Sequence, residues 1–339
     1  MKIRAKILAA LLLLTSLMAT PALLVAPAKA APALSIGIAY DTGGRGDQSF
    51  NDAAAAGLVK AQKEFTFTVE SVVTDGTAAD RERRVRSLIT KNCNPIIVVG
   101  PGYAPTLRLL SIEFPNTQFA ILNNATVDAL NVTSLIFADL QGAFLAGYSA
   151  ALVSKTNKVA MIASSNQSDL YENGFSVGVA AAKKSVISII KYVNGSESLA
   201  TRQVMAAGAD VIFVARLGSS SETFDAIVTR NLSKQKLKSF RPVGMISIEP
   251  DQYISVTSST KKYLYATVVK RVDKAMYDVI AKAVSGEQLL DVLDPKAGIY
   301  GYRYGITGGG ISITTYLPAL TAASSAINAA AVQALKLTS

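Results

Sequence analysis

Two doubly wound α/β lobes, each a parallel sheet covered by helices, are what this 339-residue sequence predicts. Three observations carry the prediction. Short apolar runs alternate with amphipathic stretches in a βαβα rhythm, which is the signature of parallel sheets. The rhythm occurs twice, in two series of similar size. The composition, 50% hydrophobic and 17% charged, is that of a packed chain with more than one core.

Residues 1–30 stand outside this pattern. Lys2, Arg4 and Lys6 precede a Leu/Ala-rich stretch that ends in Ala28-Lys29-Ala30. A basic start, an apolar middle and an A-x-A end predict a secretory signal peptide cleaved near Ala30. Pro21 and Pro27 interrupt the run and disfavour a permanent anchor helix. Cleavage removes four basic residues and no acidic one, so the formal charge of +10 falls to +6. The mature protein is expected to be exported, periplasmic or extracellular, without a cysteine placed to carry a lipid anchor.

The first series then runs strand 34–40, helix 51–63, strand 66–73, helix 78–91, strand 95–100, helix 104–113 and strand 118–122. Val85, Leu88 and Ile89 form the apolar stripe of the second helix. The second series runs helix 141–155, strand 158–163, helix 171–184, strand 186–193, helix 199–207, strand 210–215, helix 222–232 and strand 241–248. Beyond it, 268–284 reads as a strongly amphipathic helix, 298–304 and 311–316 as strands around Gly308 to Gly310, and 319–337 as an Ala-rich helix. These last elements are too few for a third domain and are expected to complete the two lobes by several interlobe crossovers. The expected division is 31–138 with about 253–287 in the first lobe, and 139–252 with about 288–339 in the second.

Composition also excludes chemistry. With no His, Ser-His-Asp and Cys-His catalysis and His-bearing zinc sites are out of reach. One cysteine, Cys93, rules out a disulfide framework and reads as a small buried residue before an apolar strand. No enzyme, metal or cofactor is therefore expected. Arg81, Arg83, Arg84 and Arg86 form the densest basic cluster, but Asp80 and Glu82 interrupt it, so it reads as a solvated helix face and no nucleic-acid partner is expected. Gly43, Gly44 and Gly46 lack the spacing and the Lys of a phosphate loop.

Ligands of open parallel sheets bind outside the carboxyl ends of strands. That rule selects Asp41 with the following GGRGD, the 100–103 turn, Asn123 and Asn124, 164–166, Arg216 with Gly218, and Glu249 with Asp251. Such acids and amides can chelate neighbouring hydroxyls of a polyhydroxylated ligand, while Phe50 or Tyr103 covers a flat ring.

The stretch from Tyr40 to Asp52, YDTGGRGDQSFND, closely resembles the opening signature of the basic membrane protein (BMP, PnrA-like) family of ABC-transporter substrate-binding proteins. Phe119 to Asn123, Phe137-Ala138-Asp139 with Gly142 to Gly147, Gly174-Phe175 with Gly178, Gly208 to Phe213, and Val269 to Asp273 with Tyr277-Asp278 continue it in order. The resemblance implies a type I periplasmic-binding-protein fold, a monomer that holds a nucleoside between its lobes and delivers it to an ABC permease. It implies that Asp41 contacts the ligand, Phe50 stacks on the base, Asn51 hydrogen-bonds beside it, Lys270 reaches the ribose and the Gly218 loop approaches closely. The sequence also departs from that pattern. Asn123 stands where the family has a base-recognising acid, and Glu249 stands for the ribose-binding acid just ahead of Asp251. The second stacking Phe is absent from 193–197, which leaves Arg216 as a further candidate to stack or pair. The competing expectation is a secreted sensor or surface interaction protein of the same fold with another small polar ligand.

Overall fold

A computed structural model of the protein describes residues 34–164, 169–193, 195–216, 220–248, 257–288 and 291–337. The first series becomes β1 (Ser35–Tyr40), α1 (Phe50–Glu64), β2 (Thr68–Val73), α2 (Ala78–Thr90), β3 (Ile96–Val98), α3 (Ala104–Glu113), β4 (Phe119–Leu122) and β5 (Val132–Phe137). The second comprises α4 (Asp139–Val153), β6 (Lys158–Ser164), α5 (Asp169–Ala182), β7 (Ile187–Val193), α6 (Glu197–Ala206), β8 (Val211–Ala215), α7 (Ser221–Lys234) and β9 (Gly244–Ile248). The chain closes with β10 (Leu264–Lys270), α8 (Val272–Ser285), β11 (Asp291–Asp294), β12 (Ile299–Tyr304), β13 (Ile311–Thr315), α9 (Pro318–Ala322) and α10 (Ser324–Ala334).

Two sheets result, in the orders β11-β12-β5-β4-β3-β1-β2 and β13-β10-β9-β8-β6-β7. Only the edge strands β11 and β13 run antiparallel to their neighbours. The central strands are buried on both faces, as helix-covered parallel strands must be; β3, β4, β8 and β9 expose no residue. Cys93 is buried in the core under β1 and β3, as its setting predicts.

The chain passes between the sheets at three places: from β5 into α4, from β10 into α8, and from β12 into β13. The crossings lie side by side. Ala138 N–H donates to the Tyr304 carbonyl at 2.9 Å, Ile306 N–H to Gln141 Oε1 at 3.0 Å, and Arg271 N–H to the Gly310 carbonyl at 3.0 Å. Close helix contacts fix the layers. A Cβ on Gly57 of α1 would meet the Asp273 carbonyl of α8 at 2.2 Å, and one on Gly178 of α5 would meet the Phe144 carbonyl of α4 at 2.1 Å.

The structure corrects the expected division at the chain's end. Residues 264–270 pair with β9 in the second sheet, although 253–287 was assigned to the first lobe. Conversely, β11 and β12 extend the first sheet beside β5, although 288–339 was assigned to the second. The helix read from 268 begins at Val272, because Thr267-Val268-Val269 is a buried β-branched strand that runs directly into an amphipathic helix. Apolar periodicity alone does not separate the two. Strands β5 and β11 were likewise not expected.

Candidate functional site

The carboxyl ends of β1, β3 and β4 lie on one edge of the first sheet, because the three strands are parallel and adjacent. Asp41, Val99 with Gly100, and Asn123 follow them directly. Together with the β1–α1 turn they wall a cavity of about 240 Å³ that includes Asp41, Asp47, Phe50, Asn51, Gly100 and Asn123.

The β1–α1 turn is a braced structure. Asp47 accepts from the N–H groups of Ser49, Asn51 and Asp52 at 2.8–3.1 Å, and so caps the orphan donors of α1 with a negative charge. Asp52 accepts from Gly46 N–H at 2.6 Å and Gln48 N–H at 2.8 Å. The amides that a phosphate loop would offer an anion are therefore occupied by this chain's own carboxylates. Asn51 is buried, and its side-chain oxygen accepts from Asp41 N–H at 3.0 Å while its amide points at the Asp41 and Thr42 carbonyls at 3.4 and 3.3 Å. Asn51 thus locks Asp41 to the helix.

Asp41 carries the charge of this wall. Its Oδ1 accepts from Thr42 N–H at 2.9 Å and from Arg81 Nη2 at 2.8 Å. Oδ2 has no protein donor among the described residues, and it lies where a Cβ on Gly100 would come within 2.9 Å. Arg81 also donates to the Gly76 carbonyl at 2.5 Å, and its guanidinium covers the Tyr103 ring at 5.5 Å. Gly102 makes room for it, since a Cβ there would sit 2.8 Å from the guanidinium carbon. The basic cluster on α2 is accordingly a set of paired charges. Arg81 reaches Asp41, Arg83 and Arg84 hold Asp80, and Arg86 bridges Glu82 and Glu113. Tyr103, the alternative ring cover, is fully buried and donates its hydroxyl to the Tyr40 carbonyl at 2.8 Å, so it is not a face of the cavity.

Phe50 meets Phe137 edge-on, with ring centroids 6.4 Å apart and an interplanar angle of 83°, the preferred aromatic geometry. Phe137 in turn lies 5.8 Å from the Lys270 ammonium. That ammonium is fully buried, 2.7 Å from Asp139 Oδ1 and 2.9 Å from the Tyr171 hydroxyl, to which it donates. The Asp139 contact is a charge pair without an aligned hydrogen bond at Oδ1. Burial, followed by the Asp139 carboxylate, holds the Tyr171 phenol well above its ordinary pKa, so it stays neutral.

The structure therefore brings Asp41, Phe50, Asn51 and Asn123 together, with Lys270 adjoining across Phe137. Asn123 has a φ of 62°, a conformation that Asn tolerates, and its N–H donates to the Leu135 carbonyl at 2.7 Å. Arg216 is not among the residues of this cavity. Its guanidinium is paired with the buried Glu197, whose other oxygen accepts from Thr223 Oγ1 at 2.7 Å. Gly218, Glu249 and Asp251 lie outside the described residues. Arg81, Phe137, Asp139 and Tyr171 were missed as site-bracing residues. Among the described residues no group of three or more acids and cysteines is placed to hold a metal ion.

Two crossed-over lobes with a polar and aromatic cavity at the strand ends define a solute-binding-protein fold. An ABC transporter system solute-binding protein of Aeropyrum pernix K1 shares it, with a TM-score of 0.66 at 21% identity over 83% of this chain and 76% of that one. The chain belongs to the PnrA-like family of ABC transporter substrate-binding proteins, whose description matches residues 35–324. It is 29% identical over 275 residues to a CD4+ T-cell-stimulating antigen of Listeria monocytogenes, covering 76% of each chain. It is also 26% identical over 270 residues to the ABC transporter nucleoside-binding protein BmpA of Lactococcus lactis, covering 75% of this chain and 76% of that one.

Proposed function

We propose that this protein is the exported receptor of an ABC importer and that it closes its lobes around a nucleoside, a purine nucleoside foremost. The observation that carries the reading is the juxtaposition of an acceptor, a ring and an amide in one cavity. Asp41, whose Oδ2 has no protein donor among the described residues, lines it together with Phe50 and Asn123. A sugar hydroxyl donates to Asp41, the base lies on Phe50, and Asn123 offers both a donor and an acceptor to its edge. The sugar-side cation of this reading is Lys270, presented beside Phe137 by Asp139 and Tyr171. A relative described as nucleoside-binding supports the same ligand class.

Ligand that touches both lobes favours the closed arrangement only by the difference between its affinities for the closed and open states. Cargo then passes to a membrane permease. Titration calorimetry with inosine, guanosine, adenosine and uridine tests the reading. Purine nucleosides are expected to bind more tightly than uridine, and no heat from any of the four would overturn the nucleoside assignment.

A further inference from the structure

The second sheet carries charge that the linear sequence conceals. Strands β6, β7, β8, β9 and β10 are mutually parallel, so the turns that lead into them all emerge at one end, opposite the cleft edge. Lys155 and Lys158 sit at the turn before β6, and Lys183 and Lys184 at the turn before β7. The turn before β9 adds Lys234, Lys236, Lys238 and Arg241, and the one before β10 adds Lys262. None of these nine cations takes part in an ion pair among the described residues. The single acid in these turns among the described residues, Asp210, is buried, where it accepts from Ser154 Oγ at 2.7 Å and from the N–H groups of Lys155 and Thr156 at 2.6 and 3.0 Å. Asp225, farther up α7, is the acid nearest in sequence to this end of the helix, and it lines the same groove as Arg230 and Lys234.

Part of this charge serves the helices. Lys183 Nζ donates to the Leu152 carbonyl at 3.2 Å and Lys158 Nζ to the Ala207 carbonyl at 3.0 Å, which satisfies helix C-termini. The segment 232–239 is different. It is exposed throughout, its three lysines donate no side-chain hydrogen bond among the described residues, and two leucines stand between and beside them. Leu232 is 49% and Leu237 56% exposed. Folding gains nothing from apolar side chains left in water beside unpaired lysines.

We propose that this end of the second lobe docks on an anionic lipid surface, the lysines facing the headgroups and Leu232 and Leu237 entering the acyl boundary. Two features favour a bilayer over a nucleic acid. The exposed cations are mostly lysines, which suit a diffuse charged plane, whereas arginine forks suit individual phosphates. The leucines also have an apolar phase to enter only in the lipid case. Because the surface lies opposite the strand ends that follow into Asp41, Asn123 and Lys270 in their sheets, docking leaves the cleft accessible. The proposal does not depend on the identity of the ligand.

Sedimentation of the chain from Ala31 onward, which contains every described residue, with vesicles of phosphatidylglycerol or of phosphatidylcholine tests it. Binding is expected to the anionic vesicles alone and to weaken with added salt. At about fivefold per lysine, the triple change Lys234→Gln, Lys236→Gln, Lys238→Gln should lower it roughly a hundredfold. The control Lys60→Gln, Lys63→Gln, Lys91→Gln removes the same net charge from the first lobe and should change it little. Leu237→Ser should lower it about tenfold. Absence of binding to the anionic vesicles, or equal losses in both triple variants, would overturn the proposal. So would equal affinity for a duplex DNA oligomer with no effect of Leu237→Ser on the vesicles, which would make the surface a general polyanion site. Unchanged thermal unfolding of the variants shows that the fold is kept.

Discussion

Arg81 Nη2 lies 2.8 Å from Asp41 Oδ1, although forty residues of chain separate the two. The pair leaves one carboxylate oxygen for the cavity and fixes the direction in which it points. Arg81→Met should therefore weaken nucleoside binding about three- to tenfold, the scale of losing one charged hydrogen bond that positions the acceptor. Asp41→Ala should weaken it by roughly tenfold or more. In the Asp41→Ala background the Arg81 change should add little, and calorimetry on the four proteins measures that coupling. Full additivity would show that Arg81 acts elsewhere.

Phe50 is held edge-on by Phe137 and supplies the only aromatic ring among the described residues that line the cavity. Phe50→Leu keeps the apolar volume and removes the flat face. Affinity should fall about three- to tenfold, corresponding to about 0.5–1.5 kcal/mol, with no loss of folding. Isothermal titration beside a thermal melt separates the two effects.

Lys270 is expected to be a structural as well as a ligand-facing residue. Removing it strands the Asp139 carboxylate, which is only 18% exposed. Lys270→Ala should destabilise the protein by about 3 kcal/mol, read from the urea midpoint at constant slope. Adding Asp139→Asn should recover part of that loss. A Lys270→Ala protein as stable as the parent would show that the pair is dispensable.

Gly178 and the Phe144 carbonyl set the distance between α5 and α4. Gly178→Ala places a methyl 2.1 Å from that oxygen, so the helices must separate. A loss of about 1–3 kcal/mol is expected, even though alanine is the better helix former. Chemical denaturation checks it, and a gain in stability would contradict the packing described.

Asp80 links acid stability to α2. Its carboxylate accepts from Asp75 N–H at 2.9 Å and is paired with Arg83 and Arg84, and the Asp75 hydrogen bond is the largest cause holding its pKa below the ordinary aspartate value. The folded-state value is the lower one, so this stabilisation is present above the unfolded pKa of about 3.9 and is lost as pH falls through the folded value. Asp80→Asn should therefore flatten the fall in melting temperature below about pH 4.

Much of the fold was legible because a βα unit writes its period into the chain. The runs 34–40, 95–100 and 158–163 announce themselves as strands between amphipathic helices. What stayed hidden depended on neighbours distant in sequence. Nothing local tells Thr267-Val268-Val269 from the first turn of the helix that follows, and nothing in 291–304 says which sheet it extends. The site divides in the same way. Asp41, Phe50 and Asn123 follow from the strand-end rule and from resemblance, but Arg81 was read as a surface charge because its partner lies forty residues away. The cationic end of the second lobe was missed for the same reason. Its lysines come in ones, twos and threes along the sequence and gather only when five strands align.

The three side-by-side crossings also bear on how the chain reaches its native state. Neither sheet is made of one continuous stretch. The first lacks β12 until residue 304 has been added, and the second lacks β13 until residue 315. Contacts that must be closed over such long stretches slow folding, so a nascent chain stays unfinished until β12 and β13 have both been made. That delay keeps the polypeptide threadable until then, and it makes residues 291–315, which hold β11, β12 and β13, the step that commits both lobes.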